Sequence, residues 1–401
     1  MSKTRKLSYG ELSYEPLDVR GAMQEATRCL LCEDAPCSQD CPAKTDPGKF
    51  IRSIRFRNFK GAAETIRENN ILGATCALVC PYDKLCEKAC SRTGIDKPIE
   101  IGRLQSFAMD QERIHKMQVL KKGESIGKKV ACIGSGPASL AAAAELAKNG
   151  VDVTIYEQYE KAGGVLRYGI NPSRLSRNTV DYDISKVEEL GVKFEFGKKI
   201  TYDQIEDLKK EYDAVFVGVG LWKTWLPEIE GIGLKGVYTA VDFLKEMYEN
   251  DGKIELGEDV VIVGGGDVAM DCATSAKQAG AKNVSIVYRR SIEEAPANIQ
   301  ELSYAYSLGV PVHTRFAPEK IHGDGKVELV EFKSWDEVST MNLKASTVVF
   351  AIGQKLEDDY EGVKKGNGVF IAGDARNGGE TVVKAVAEGK GAALEILAYL
   401  K

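Results

Sequence analysis

Two stretches of the chain share one order of features: a short apolar run, a glycine-rich loop and a helix-forming segment. The first is VACIGSGPASLAAAAELAKNG, which is followed by VDVTIYE, and the second is VVIVGGGDVAMDCATSAKQAG, which is followed by VSIVYRR. Two strands that are joined through a helix run parallel in one sheet, because the crossover returns the chain to the edge where it started. The repeat therefore predicts an α/β protein with two Rossmann-like dinucleotide-binding domains.

The loop of the first unit has the residue types that a bound pyrophosphate requires. Gly134 allows a tight turn, Gly136 lets phosphates approach the backbone, and the helix that follows offers free N–H groups. Ser139 takes the third position, where glycine or alanine is usual, and is small enough for close packing. Glu157 ends the next strand about 20 residues on, where an acid can bind a ribose hydroxyl. We expect dinucleotide binding here; the alternative is a glycine turn without a ligand.

The second unit has a similar loop but a different strand end. The loop consists of Gly264, Gly265, Gly266, Asp267 and Val268. The next strand ends in Arg289 and Arg290, with no acid. Because arginine can accept a 2′-phosphate, this end favours NADPH over NADH, with a solvated strand end as the alternative. The following loop, SIEEAPANIQEL, offers no further arginine and so weakens that preference.

Two dinucleotide sites in one chain indicate FAD together with NAD(P)H. Near the C-terminus, Gly373 and Asp374 follow a short apolar run, and a helix is expected to begin near Thr381. This stretch resembles the second flavin-contact motif of flavoproteins with two dinucleotide-binding domains, in which the aspartate contacts the ribityl chain. We predict no catalytic side chain, because the cofactors carry the hydride chemistry. Cys132 and Cys272 are expected to be plain buried thiols.

Domain boundaries follow from the order of these motifs. Residues 1–125 have apolar residues at helical spacing and predict an all-α domain. In the flavoproteins that the motifs resemble, the nicotinamide domain interrupts the flavin domain. We therefore predict a discontinuous FAD-binding domain over 126–240 and 345–401, and an NAD(P)-binding domain over 241–344.

Eight of the ten cysteines lie in two runs between residues 29 and 90. The first run, CLLCEDAPCSQDCP, has the spacing C-x2-C-x4-C-x3-C-P, which resembles the C-x2-C-x2-C-x3-C-P run of ferredoxins. Zinc sites more often show C-x2-C pairs separated by a longer gap. The spacing favours two [4Fe-4S] clusters, with structural zinc and unligated thiols as alternatives. From spacing alone, Cys76 would be the eighth ligand.

The composition excludes several classes of function. The net charge is −5, and no basic stripe is interleaved with aromatic residues, so we expect no nucleic-acid partner. The N-terminal segment lacks the apolar part of a signal peptide, and no apolar run approaches the ~18 residues of a membrane helix. We therefore expect a cytoplasmic protein with no membrane association, in which clustered cysteines are more often metal ligands than disulfides.

The whole pattern resembles a known family. The cysteine runs, together with the GSGPAS, GGGDVAMDCATSA and AGD stretches, are similar to the N-terminal region of dihydropyrimidine dehydrogenase and to the small subunit of bacterial glutamate synthase. GPAS and DCATSA favour the pyrimidine branch. The length is similar to that of the separate flavin subunit of bacterial NAD-dependent dihydropyrimidine dehydrogenase. The resemblance implies an all-α iron–sulfur domain of the α-helical ferredoxin type before the two dinucleotide-binding domains.

The resemblance also implies ligands for each cofactor, with Cys76 as a bystander. One cluster would use Cys29, Cys32, Cys37 and Cys90. The other would use Cys41, Cys80, Cys86 and Gln105. The flavin contacts would be Gly134, Gly136, Pro137, Ala138, Ser139, Glu157, Gly164, Arg174, Gly373, Asp374 and Thr381. The nicotinamide contacts would be Gly264, Gly265, Gly266, Asp267, Val268, Arg289, Arg290, Ala351, Ile352 and Gly353.

The activity implied by this family is electron input in pyrimidine catabolism. NAD(P)H would give hydride to FAD, and two [4Fe-4S] clusters would pass electrons to a partner FMN-containing catalytic subunit that reduces uracil or thymine. The chain ends soon after its flavin motif and has no pyrimidine site of its own, so we expect a hetero-oligomer. The alternatives are a small subunit that feeds a glutamate synthase, and a zinc-stabilised interaction domain without electron transfer.

Overall fold

The chain is described here by a computed structural model, which covers residues 8–11 and 13–401. Its helices are α1 (Val19–Arg28), α2 (Pro36–Gln39), α3 (Pro47–Arg55), α4 (Phe59–Asn69), α5 (Gly73–Val79), α6 (Ile101–Ile114), α7 (Pro137–Lys148), α8 (Val165–Tyr168), α9 (Arg177–Glu189), α10 (Tyr202–Glu211), α11 (Ala240–Glu249), α12 (Asp267–Gln278), α13 (Ile299–Ser307), α14 (Asp374–Asn377) and α15 (Val382–Tyr399). Short 3-10 turns lie at Tyr82–Lys84, Ser91–Gly94, Ile292–Glu294 and Asp358–Tyr360.

The strands alternate with these helices from residue 129 onward. They are β1 (Lys129–Ile133), β2 (Asp152–Tyr156), β3 (Lys193–Glu195), β4 (Ala214–Val217), β5 (Lys223–Thr224), β6 (Val237–Thr239), β7 (Asp259–Val263), β8 (Asn283–Tyr288), β9 (Val312–Thr314), β10 (Phe316–His322), β11 (Leu329–Ser334), β12 (Thr340–Lys344), β13 (Thr347–Phe350), β14 (Gln354–Lys355) and β15 (Val369–Ile371).

The chain divides into two compact units. The larger unit comprises Tyr14–Leu166, Leu175–Leu221 and Leu356–Lys401. The smaller unit comprises Arg167–Arg174, Trp222–Lys355 and the described residues up to Ser13. The domain boundaries inferred from the sequence stay a prediction, since compact units need not coincide with cofactor-binding domains.

The N-terminal part of the larger unit consists of helices that pack their apolar faces together. Phe50, Ile54, Ile66 and Leu104 are fully buried between them, and each contributes about 1.5–3 kcal/mol by leaving water. The rings of Phe59 and Phe107 meet edge to face with their centroids 5.2 Å apart. This all-α packing carries both cysteine runs.

The rest of the larger unit is built on a parallel five-stranded sheet in the order β15-β4-β1-β2-β3. Val130 of β1 pairs with Val153 of β2 on one side and with Ala214 of β4 on the other. The central strands are nearly continuous apolar runs because helices cover both faces of such a sheet. Cys132 is fully buried in β1, as the sequence predicted.

The smaller unit repeats this arrangement. Its parallel sheet has the order β6-β13-β7-β8-β9, and a three-stranded antiparallel sheet, β10-β11-β12, accompanies it. Val260 of β7 pairs with Val284 of β8 and with Thr347 of β13. Cys272 is fully buried on α12. The predicted α/β fold with two parallel dinucleotide-binding sheets is therefore confirmed. Within the described part of the chain, no helix combines the length and apolarity that a membrane crossing requires.

Candidate cofactor sites

The first glycine loop has a backbone shape that only glycine accepts. Gly134 has φ +82°, and a Cβ atom there would lie 2.9 Å from the carbonyl oxygen of Gly218. Gly136 is the N-cap residue of α7 and provides no side-chain cap, and Pro137 opens the helix. The free N–H groups of this helix end can therefore bind an anion such as a pyrophosphate.

Glu157 lies beside this loop and is almost fully buried. Its Oε2 accepts hydrogen bonds from the backbone N–H of Ser135, at 3.0 Å, and from the Ser135 hydroxyl. Its Oε1 accepts one from the N–H of Tyr159, at 2.8 Å. The Ser135 hydroxyl in turn accepts a bond from the N–H of Gly163, at 3.1 Å. Sequence reasoning did not single out Ser135; its position between the two loop glycines was the available signal.

Two distant segments lie against the same loop. A Cβ atom at Gly164 would lie 2.9 Å from the Cα of Gly136, and one at Gly373 would lie 2.8 Å from the Cβ of Ala138. Ser139 lies equally close to Gly218, because a Cβ atom at Gly218 would lie 2.3 Å from the Ser139 Oγ. The structure thus brings together predicted flavin-binding residues that are far apart in the sequence.

The C-terminal motif forms the start of two helices. Asp374 opens α14, and its Oδ1 accepts the N–H of Glu380 at 3.3 Å. Burial raises the pKa of the Asp374 carboxyl, and the nearby Glu388 and Glu380 carboxylates raise it further. Thr381 is the N-cap of α15, as predicted. Glu388 accepts the N–H of Gly373 at 2.8 Å and was not predicted from the sequence.

The second glycine loop has the same construction. A Cβ atom at Gly264, where φ is +152°, would lie 2.3 Å from the carbonyl oxygen of Ala351. One at Gly265 would lie 2.4 Å from the ring of Tyr288. Gly266 is the N-cap of α12 and provides no side-chain cap. This helix end is therefore also open to a phosphate.

The other predicted nicotinamide-binding residues surround this loop only in part. Asp267 uses its Oδ1 to accept the N–H of Asn298 at 2.7 Å. Arg289 and Arg290 are exposed directly after β8. Ile352 is partly exposed, and Gly353 accepts the N–H of Trp225 at 3.1 Å. Val268, next to Asp267, lies on the first turn of α12 and is half-buried.

Arg174 lies in the smaller unit within a group of carboxylates. Its Nη1 is 2.8 Å from Asp271 Oδ2, its Nε is 3.1 Å from Glu301 Oε1, and its Nη2 is 3.9 Å from Asp267 Oδ2. Burial raises the pKa of Asp271 to about 7, although Arg174 opposes the shift. The predicted flavin contact of Arg174 stays a prediction, and no sequence pattern pointed to this ion cluster.

Four cysteines of the helical part line one small pocket in the larger unit. They are Cys29, Cys32, Cys37 and Cys90. Burial, together with the neighbouring thiols of Cys90 and Cys29, raises the pKa of Cys37 to about 11. We call these four residues the first cysteine group. Its members match one predicted ligand set.

The remaining four cysteines of the runs influence one another electrostatically. The Cys80 thiol is hydrogen-bonded to the Cys76 thiol, and the pKa of Cys80 is raised by that hydrogen bond, by burial, and by Cys76, Cys86 and Cys41. Burial and then Cys41 raise the pKa of Cys86. We call Cys41, Cys76, Cys80 and Cys86 the second cysteine group. The buried Gln105 donates its Nε2 to the carbonyl oxygen of Gly73 at 2.7 Å.

Both cysteine groups fit iron–sulfur ligation by their chemistry. Burial opposes a free thiolate, whereas a bound metal ion deprotonates a coordinating thiol. Soft thiolates in groups of four are the usual ligands of [4Fe-4S] clusters. Within the described residues, no three Cys, His, Asp or Glu side chains converge on a position for a single metal ion. The assignment of individual ligands stays a prediction.

Two family models match the chain. The model described as dihydropyrimidine dehydrogenase domain II, 4Fe-4S cluster, matches residues 7–117. The model described as pyridine nucleotide-disulphide oxidoreductase matches residues 128–367. These two matches confirm the predicted kinds of cofactor, which are an iron–sulfur cluster, a flavin and NAD(P). The number of clusters stays a prediction.

Two of the most similar relatives cover nearly the whole chain. The NAD-dependent dihydropyrimidine dehydrogenase subunit PreT of Escherichia coli (strain K12) is 45% identical over 399 residues, which span 95% of this chain and 94% of the relative. The same subunit of Salmonella typhimurium is 44% identical, with the same coverage of both chains.

Solved structures with low sequence identity share the fold. Mycobacterium tuberculosis FprA in complex with NADPH matches with a TM-score of 0.58 and 18% identity, over 68% of this chain and 84% of that chain. Thioredoxin reductase of T. acidophilum matches with a TM-score of 0.53 and 20% identity, over 68% of this chain and 99% of that chain.

These matches agree with the two glycine loops and the two cysteine groups. The chain is an oxidoreductase, an iron–sulfur flavoprotein that uses a pyridine nucleotide. It belongs to the family of NAD-dependent dihydropyrimidine dehydrogenase subunits that includes PreT of Escherichia coli and Salmonella typhimurium.

Proposed function

We propose that the chain is the electron-input subunit of a dihydropyrimidine dehydrogenase. It would oxidise a nicotinamide dinucleotide, hold two [4Fe-4S] clusters, and deliver electrons to a partner FMN-containing catalytic subunit. That partner would reduce uracil or thymine to the 5,6-dihydropyrimidine, and the reaction would be reversible. The names of the PreT relatives support this assignment.

The observation that supports the proposal most strongly is the position of the cysteines. Both cysteine groups lie in the same compact unit as the first glycine loop. When bound, a flavin exchanges a hydride and iron–sulfur clusters exchange single electrons. The free N-terminus of α7 would hold the pyrophosphate, and Glu157, already fixed to the loop through Ser135, would accept a ribose hydroxyl. Asp374 would hold the ribityl chain.

We propose NADH as the preferred hydride donor, although Arg289 and Arg290 by themselves favour NADPH. The N–H of Ser291 and, to a smaller extent, the guanidinium of Arg290 lower the pKa of the Glu294 carboxyl. Glu293 is exposed beside it. These two carboxylates offset part of the positive charge of the arginines at this strand end, and the relatives are named as NAD-dependent enzymes.

The test begins with the full-length chain, purified without oxygen. We expect a brown flavoprotein with about eight irons and matching sulfide per chain, the content of two four-iron clusters. NADH should bleach its flavin faster than NADPH. The chain alone should reduce a one-electron dye with NADH but leave uracil unchanged. Zinc without sulfide would contradict the proposal.

The partner is identified separately, by a pulldown from the native cell. We expect a protein that carries FMN and that consumes uracil with NADH only when this chain is added. A partner without an FMN-binding barrel would overturn the assignment of the substrate. If that partner were a large amidotransferase, the chain would belong to the glutamate synthase branch in function.

A further inference from the structure

A buried ion network in the larger unit has no role in the sites described above. Arg67 of α4 is fully buried, and its guanidinium contacts both oxygens of the Glu112 carboxylate on α6, with the shortest distance 2.8 Å. Its Nη1 donates to Asp183 Oδ1 on α9 at 2.6 Å. All three side chains are at most 1% exposed. The network joins two helices of the iron–sulfur part to a helix of the first dinucleotide-binding sheet.

The network also holds the backbone that leads into the second cysteine group. Asp183 Oδ2 accepts the N–H of Thr75 at 2.7 Å. Arg67 Nη1 donates to the carbonyl oxygen of Ile71. The network therefore holds residues 71–75 at Ile71 and Thr75, in addition to the bonds that Gln105 makes to Gly73 and Asn70 makes to Leu72. Cys76 follows immediately, and Cys80 ends the same helix one turn later.

The N-cap of α5 offers no substitute for the bond that Asp183 makes to Thr75. Leu72, at the N-cap of α5, has no side-chain acceptor for the free N–H groups of that helix. Only Asp183 brings a carboxylate to Thr75 among the described hydrogen bonds. A buried carboxylate bonded to both an arginine and a peptide N–H is held in one orientation, so it can define the position of the backbone that it binds.

We propose that Asp183 is a positioning residue for the iron–sulfur cluster of the second cysteine group. A residue of the flavin-sheet helix α9 thereby sets the place of the sulfur ligands in the neighbouring helical part. This inference rests on the proposed function, because it requires a cluster at the second cysteine group. Replacing Asp183 should affect that cluster and leave the cluster of the first cysteine group unchanged.

The experiment uses the full chain and reads each cluster by its electron paramagnetic resonance signal after reduction. The variant Cys37→Ala assigns the signals, because it removes a ligand of the first group only. The signal that survives in Cys37→Ala belongs to the second cysteine group. In Asp183→Ala we expect that signal to be lost or broadened. The iron content should fall towards about four per chain, the content of one cluster. The flavin content should not change.

Three further variants separate positioning from general stability. Asp183→Asn keeps an oxygen acceptor for the Thr75 N–H, so it should retain the iron while the midpoint potential of that one cluster shifts. Glu188→Gln removes a charge from the exposed side of α9 and should behave as wild type. Glu112→Gln disturbs Arg67 but not the bond to Thr75, and it should retain both signals.

The outcomes distinguish the inference from the proposed function. If the wild-type chain lacks two clusters, the proposed function fails. If it has two clusters and Asp183→Ala leaves both signals unchanged, only the role of Asp183 is overturned. An equal loss of both signals in Asp183→Ala, or the same loss in Glu112→Gln, would show general destabilisation and would also overturn it. Should Asp183→Ala fail to fold, the cluster-specific potential of Asp183→Asn decides.

Discussion

At the scale of single residues, Cys76 and Gln105 are the two candidates for the last ligand of the cluster proposed at the second cysteine group. The Cys76 and Cys80 thiols share a hydrogen bond. Gln105 donates its amide nitrogen to the Gly73 carbonyl, which leaves its amide oxygen as a potential ligand atom. We predict that Gln105→Ala alters one cluster signal and lowers iron by up to about four per chain. Cys76→Ala should retain the full iron content. A loss of iron in Cys76→Ala alone would identify that cysteine as the ligand.

A second prediction at this scale concerns pH. Burial raises the pKa of Asp271 to about 7 in the folded protein, above the usual value of a carboxyl in an unfolded chain. The folded state therefore binds a proton that the unfolded state releases, and stability falls as pH rises between these two values. Asp271→Asn removes this titration but keeps a group that can bond to Arg174.

The measurement is the difference in Tm between Asp271→Asn and wild type at several pH values from 5 to 8. We expect the variant to gain stability relative to wild type as pH rises, by an amount that corresponds to at most about 1.4 kcal/mol for each pH unit. Any fixed cost of the substitution cancels in this comparison. A difference that stays constant or decreases with pH would contradict the raised pKa.

At the scale of elements, each dinucleotide site depends on one strand–loop–helix unit. Gly134→Ala places a methyl group against the Gly218 carbonyl at a positive φ, so it should lower the FAD content. Gly265→Ala places a methyl group against the Tyr288 ring beside the second glycine loop. We expect it to keep the flavin but to weaken NADH binding by roughly tenfold or more, about 1.4 kcal/mol.

The matched control is Gly391→Ala, since a Cβ atom at Gly391 on α15 meets no atom within 4 Å. Flavin content and the NADH dependence of flavin bleaching are measured for all three variants. If Gly265→Ala loses flavin while Gly134→Ala retains it, the assignment of the two loops to the two cofactors is reversed.

At the scale of the whole molecule, we predict that the helical part and the dinucleotide loops have separable tasks. Cys37→Ala removes a predicted cluster ligand of the first cysteine group without touching either glycine loop. NADH should still bleach the flavin at a rate within about twofold of wild type, whereas uracil reduction with the partner should fall by at least about tenfold, since each factor of ten is about 1.4 kcal/mol in the barrier. Equal losses in both assays would show that the two parts do not work separately.

The sequence by itself determined the features that depend on near neighbours. The two parallel sheets follow from short apolar runs, loops and helices in order, and the positions of Gly134 and Gly264 follow from the turn that each strand requires. The burial of Cys132 and Cys272 also follows from their places in a core strand and a core helix. The family of the chain was recognisable from the cysteine runs and the glycine loops together.

Only the tertiary structure decided the contacts between residues far apart in the chain. Asp183 reaches Arg67 across 116 positions, and Arg174 meets Asp271 across 97, and no local pattern marks either pair. The reason is physical: helix and strand periodicity is set by backbone geometry over a few residues, whereas a buried charge finds its partner only where separate elements pack together.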